Sequence, residues 1–223
     1  MEISGDFVGD VRAGLAALGD PQRAAGQQAY MKSQLPFYGV VTPQVRALVK
    51  GLAKAYILDL DAIARYSRAL WDEANYREER YAAIGLTGLK PALGQLELVP
   101  LYEHQVRTGA WWDFVDDIAH RICVLHDTHP GETAQIVRQW SGADTFWLRR
   151  LAIISQLTRK TRTDVALLTE LIEPNLSDKE FFIRKAIGWA LRDYAYTDPD
   201  WVRHFVQTHA LSPLSLREAT KHL

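Results

Sequence analysis

Apolar residues recur at helical spacing along nearly the whole chain. No run alternates polar and apolar residues as a half-buried strand requires. This periodicity limits the fold more than any other feature, because each apolar stripe on a helix must be covered by another helix. Phe7, Val11, Leu15 and Leu18 form the first stripe. Further amphipathic segments follow at about 43–56, 59–72, 76–89, 94–108, 112–126, 131–141, 144–158, 162–175 and 179–195. Asp20-Pro21, Thr42-Pro43 and Asp198-Pro199 each read as an N-cap followed by proline at the first helical position. Ser215-Leu216-Arg217-Glu218 reads as a capping box.

Connections are short and no Pro/Gly/Ser-rich linker divides the chain, so residues 1–223 are expected to form one all-α domain of roughly a dozen helices. Helix pairs spaced by about 35–45 residues fit a HEAT-like or armadillo-like repeat stack, a fold that binds on its concave surface. The repeats are degenerate, and a non-repeating bundle is the structural alternative. No apolar run approaches the ~18 residues of a membrane span, and the N-terminus has no basic region followed by an apolar one. The single cysteine, Cys123, excludes an internal disulfide. A cytoplasmic monomer is expected.

Net charge is −1, which argues against a uniformly basic coat for nucleic acid. The charges are nevertheless segregated along the sequence. Acids dominate from Asp59 to Glu103, while Arg149, Arg150, Arg159, Lys160, Arg162, Arg184, Lys185 and Arg192 gather later. One positive face is therefore expected.

Metal and nucleophile chemistry find little support. His120, Cys123, His126 and His129 recur every third residue. Successive positions at that spacing rotate around a helix and cannot converge on one ion. Pro130 also ends the helix before His129. Phosphate-loop, dinucleotide and H-E-x-x-H motifs are absent, and neither a metal nor a cofactor is called for. Cys123 sits among Ile122, Val124 and Leu125, as a small apolar residue would.

Three stretches carry chemistry. In Trp111-Trp112-Asp113-Phe114-Val115-Asp116-Asp117-Ile118, Trp112 and Asp116 share a helix face, while Phe114, Val115 and Ile118 are free to enter a core. A π surface beside a carboxylate can stabilise a cation; a core tryptophan beside a surface acid is the plainer reading. In Asp144-Thr145-Phe146-Trp147-Leu148-Arg149-Arg150-Leu151, Asp144 can cap, and one of the two arginines can hold a phosphate; a surface ion pair is the alternative. In Lys179–Arg192, the residues Lys185, Trp189 and Arg192 share a stripe opposite Ile183, Ile187, Ala190 and Leu191. Cations interleaved with an aromatic suit a sugar-phosphate backbone, although a half-buried indole between solvated cations looks the same.

Taken in order, these blocks resemble the AlkD-type alkylpurine DNA glycosylases, which are HEAT-like-repeat proteins. Ala29-Tyr30-Met31-Lys32, Gly39-Val40-Val41-Thr42-Pro43, Leu70-Trp71-Asp72, Trp147-Leu148-Arg149-Arg150 and Leu211–Ala219 contribute. Trp111–Asp116 and Lys185-Ala186-Ile187-Gly188-Trp189 are the most specific. The resemblance implies that Trp112, Asp116 and Trp189 surround the deoxyribose of a lesion. It implies that Tyr30 and Arg150 face the DNA with Phe181 and Phe182 nearby, and Lys185 and Arg192 are taken as DNA contacts from the basic stripe. The implied partner is double-stranded DNA carrying alkylated purines. One departure is Thr158, where the family often has a lysine, and it leaves the phosphate contacts there open. A non-catalytic DNA-binding relative and a protein-interaction scaffold are the other readings.

Overall fold

The apolar stripes fold into thirteen α-helices joined by turns and short 3-10 segments, with no strand among the described residues. The computed structural model describes residues 5–223. Two units form, one ending at Leu101 and the other running from Tyr102 to the C-terminus. None of the described helices is long and apolar enough to cross a membrane.

The first unit holds α1 (Phe7–Ala17), α2 (Pro21–Met31), α3 (Thr42–Tyr56), α4 (Leu60–Asp72) and α5 (Arg77–Thr87). Phe7, Val11 and Leu15 of α1 are fully buried, as are Ile63, Leu70 and Trp71 of α4. Helix α5 opens with three charged residues, Arg77, Glu78 and Glu79, and all three are buried. Buried charges are tolerated only when paired or hydrogen-bonded. Glu78 meets this by accepting the backbone N–H groups of Tyr38, Gly39 and Val40 at 3.0, 2.8 and 3.0 Å. Glu79 accepts from Arg12 Nε at 2.9 Å and from the Tyr38 hydroxyl at 3.2 Å. The loop before α3 is thereby fastened to α5. Gly39 is required in it: φ is +89°, and a Cβ would lie 2.0 Å from the Asp20 carbonyl oxygen. Helix α2 buries no residue of its own. It is held from its N-terminal end, where Asp20 N–H donates to Tyr38 O and Arg23 Nη1 donates to Gly39 O, both at 2.8 Å.

The second unit contains α7 (Trp112–Thr128), α8 (Pro130–Ser141), α9 (Phe146–Ile154), α10 (Val165–Ile172), α11 (Phe181–Ala195), α12 (Pro199–Thr208) and α13 (Pro213–Ala219). Helix α6 (Val99–Gly109) starts in the first unit and ends in the second. Helix α9 is the hub, packed by α7, α8, α10 and α11. Trp147, Leu148 and every residue from Arg150 to Leu157 are buried, as expected of a helix surrounded by others.

Several expected boundaries hold. Asp20 caps α2, Asp198 caps α12, and α7 ends at Thr128. Others move for identifiable reasons. Thr42 is the first helical residue of α3 and Val41 is the cap position, without a side-chain bond. Thr145 caps α9 through its hydroxyl, because the Asp144 carboxylate is engaged by Arg107 and by the Thr145 N–H. Helix α13 is capped by Ser212, which accepts from Ser215 N–H at 3.1 Å. The supposed capping box lies inside the helix, and its glutamate is drawn instead to three cations.

Candidate active site

Arg150 stands on the buried hub helix and is only 4% exposed. A guanidinium cannot shed its charge, so burial obliges it to find acceptors. It finds three. Nε and Nη2 donate to the two oxygens of Asp116 at 2.9 Å each, and Nη1 donates to the Phe182 carbonyl at 2.8 Å. The guanidinium carbon also lies 5.9 Å from the Trp189 ring centroid and 6.0 Å from that of Phe182, within cation–π range. Three helices thus converge on one cation: α7 brings Asp116, α9 brings Arg150, and α11 brings Phe182 and Trp189.

Local sequence explains the convergence. Phe114, Val115 and Ile118 are fully buried and fix the roll of α7, which leaves Trp112 and Asp116 together on the adjoining half-buried face. Ile183, Ile187, Ala190 and Leu191 do the same for α11 and leave Trp189 half-buried. Burial pushes the Asp116 carboxyl above its ordinary value, while the hydrogen bonds and charge of Arg150 pull it back. The two-point guanidinium grip requires both carboxylate oxygens as acceptors and keeps the group an anion at neutral pH. A carboxylate offers about four lone-pair sites. Arg150 occupies two of them, and 17% of the side chain remains open.

An aromatic wall adjoins this centre. Trp111, at the N-cap of α7, packs 6.2 Å from Trp147 and 6.0 Å from Phe182, ring to ring. Phe182 lies 4.8 Å from Trp147 and parallel to Phe146. Phe181, at the head of α11, is half exposed and meets Phe182 edge-on. Neither Trp111 nor Trp147 was singled out from the sequence as a site residue. Their adjacency to Trp112 and Arg150 was the available signal, but an aromatic side chain alone does not reveal what it packs against.

Lys185 and Arg192 are brought together, though not as a free cationic stripe. Both reach Glu218 of α13, at 3.1 and 2.7 Å, and Lys221 joins at 2.9 Å. Lys221 first, and then Lys185, hold the Glu218 carboxyl down to about 2. Gly188 permits this docking, because a Cβ there would lie 2.5 Å from Glu218 Cβ and 2.9 Å from Ser215 O. Three cations on one carboxylate leave a local positive excess.

The single positive face expected from the charge order does not form in that simple way. Arg149 is paired with Asp178, Arg150 with Asp116, and Arg159 and Arg162 with Asp127. Proximity in sequence did not reveal acids arriving from other helices. At the Thr158 turn, the Thr158 N–H donates to Asp193 at 2.8 Å, Arg159 is buried, and Lys160 is exposed. Tyr30 belongs to the first unit, near the C-terminal end of α2, and is 72% exposed.

Comparison with known proteins agrees with this architecture. A model of the family described as DNA alkylation repair enzyme matches residues 11–223. The solved structure of a predicted DNA alkylation repair enzyme from Enterococcus faecalis superposes with a TM-score of 0.82 at 35% identity, covering 92% of this chain and 96% of that one. A search of curated proteins gave no match.

Proposed function

The chain belongs to the DNA alkylation repair enzyme family, and we propose that within it the protein is a DNA glycosylase that releases cationic N3- and N7-alkylated purines from duplex DNA. DNA repair is the family's role; the glycosylase chemistry is our reading. The observation that carries it is the Asp116 carboxylate, fixed by two Arg150 bonds beside the Trp189 ring, with part of its surface open.

The chemistry fits those groups. Alkylation at N3 of adenine or N7 of guanine places a positive charge on the base, so the base leaves neutral and needs little acid catalysis. The barrier lies in the oxocarbenium-like sugar, as in glycoside hydrolysis. Asp116, held rigid and partly desolvated, offers its remaining lone pairs to that developing charge and to the attacking water. Trp112 and Trp189 supply π faces to the sugar cation and exclude solvent. Tyr30, Phe181, Phe182, Lys185 and Arg192 contact the DNA. Arg150 acts as the positioning residue for Asp116, which departs from the phosphate contact expected of it. Both units work as one glycosylase domain, as a monomer where the chromosome is housed.

The test is release of methylated bases from alkylated duplex DNA. Asp116→Asn keeps an acceptor for Arg150 and should lower the release rate by about 10²–10³-fold. A second reading, DNA binding without chemistry, follows if Asp116 is only the counter-ion of a buried arginine. Folded wild-type protein that binds alkylated duplex yet releases no base would establish that second reading.

A further inference from the structure

A cleft of about 400 Å³ opens in the first unit, between the C-terminal half of α3 and the turns after α3 and α5. Its floor is apolar, with Ile57, Leu89 and Pro91 among its walls, and Lys50, Lys54 and Lys90 stand around it. No carboxylate lines it. Those three lysines are exposed, and among the described residues they form no ion pair, unlike most of the arginines of the other unit.

Ile57 is the unusual member. Its φ is +54°, in the left-handed region that a β-branched side chain rarely adopts. It is also 88% exposed. Glycine or asparagine would close α3 here without that backbone strain, and any polar residue would avoid holding a large aliphatic group in water. Both local costs disappear if the side chain is covered by something else.

We infer that this cleft, with Ile57 at its lip, docks a short acidic segment of a partner protein that inserts one or two bulky apolar side chains between the three lysines. Charge complementarity selects that occupant. Three unpaired ammonium groups call for carboxylates or phosphates, and an apolar recess calls for aliphatic or aromatic side chains. A DNA backbone supplies the charge without the apolar group. A second copy of this chain would have to bring an acidic and apolar projection to the same place. The inference is independent of the glycosylase reading, since it uses none of those residues.

The experiment is fluorescence anisotropy on the full chain. The probe is a labelled peptide of about ten residues, with acidic residues flanking a Leu-Phe pair. Micromolar binding is expected, weakening with salt and lost when the acids become Asn and Gln or the Leu-Phe pair becomes Ser-Ser. Lys50→Glu combined with Lys54→Glu should weaken it at least about tenfold, with base release from alkylated DNA unchanged. Ile57→Gly is the decisive variant: it should raise the thermal midpoint by a few degrees, by relieving the backbone, while weakening the peptide. No peptide binding, or binding insensitive to these variants, overturns the inference. So does displacement of the peptide by undamaged duplex, by anionic phospholipid vesicles, or by concentration-dependent dimerisation that Ile57→Asp abolishes.

Discussion

Arg150 shows how much one residue is decided by its surroundings. Its buried position makes the pair with Asp116 obligatory, and removing one member leaves the other uncompensated. Arg150→Met is expected to destabilise the protein by about 3 kcal/mol, near the low end for a buried pair because Asp116 keeps some contact with water. Urea denaturation would measure it. Pairing Arg150→Met with Asp116→Leu should recover most of that stability and none of the base release. Equal losses of stability in the single and double variants would remove the ion pair from the account. Because burial raises the Asp116 carboxyl and only its anion steadies the sugar cation, release should decline as pH falls and plateau at higher pH. A rate that rises on acidification would assign Asp116 the role of a proton donor.

At the scale of elements, α13 is a clamp on α11. Glu218 gathers Lys185, Arg192 and Lys221, and Gly188 lets the helices touch. Gly188→Ala should push α13 away at a cost of about 1–3 kcal/mol, seen as faster amide exchange in α13. Glu218→Gln should leave the cations less neutralised. If Lys185 and Arg192 contact phosphates, undamaged duplex will bind more tightly at low salt, and its log–log salt slope will steepen by about one to two. An unchanged slope would take both residues out of the DNA contact. Glu218 also sets an acid limit. Its carboxyl is depressed to about 2, so its contribution is present above the usual glutamate value and is lost as pH falls toward 2.

For the whole molecule, His126 links folding to pH. It is buried at the α7–α9 seam, its Nε2 lies 3.1 Å from the Ser155 hydroxyl, and burial lowers its pKa from 6.5 to about 4. Between those values the unfolded chain binds the extra proton, so stability is whole above about pH 6.5 and falls as the pH is lowered toward 4. The full loss is roughly 3 kcal/mol. His126→Gln should flatten the dependence of the urea midpoint on pH across that window; an unaltered slope would point to another group. The resemblance seen in the sequence, and the family it indicated, agree with the matched residues and with the superposed structure.

What the chain determined by itself was local. Helical periodicity fixed the class and the buried faces of α7 and α11, and i, i+4 spacing placed Trp112 beside Asp116 on one surface. Such features depend on neighbours within a turn or two, and a sequence displays those directly. Tertiary structure decided which charges meet. Arg150 reads as a phosphate clamp until α7 and α11 arrive to claim it, Lys185 and Arg192 read as a bare stripe until α13 supplies Glu218, and Thr145 displaces Asp144 as a cap once Arg107 takes the carboxylate. The physical reason is that ion pairing is set by distance in space, at separations of 26 to 34 residues for Arg192–Glu218 and Arg150–Asp116, whereas amphipathic pattern is set by distance along the helix.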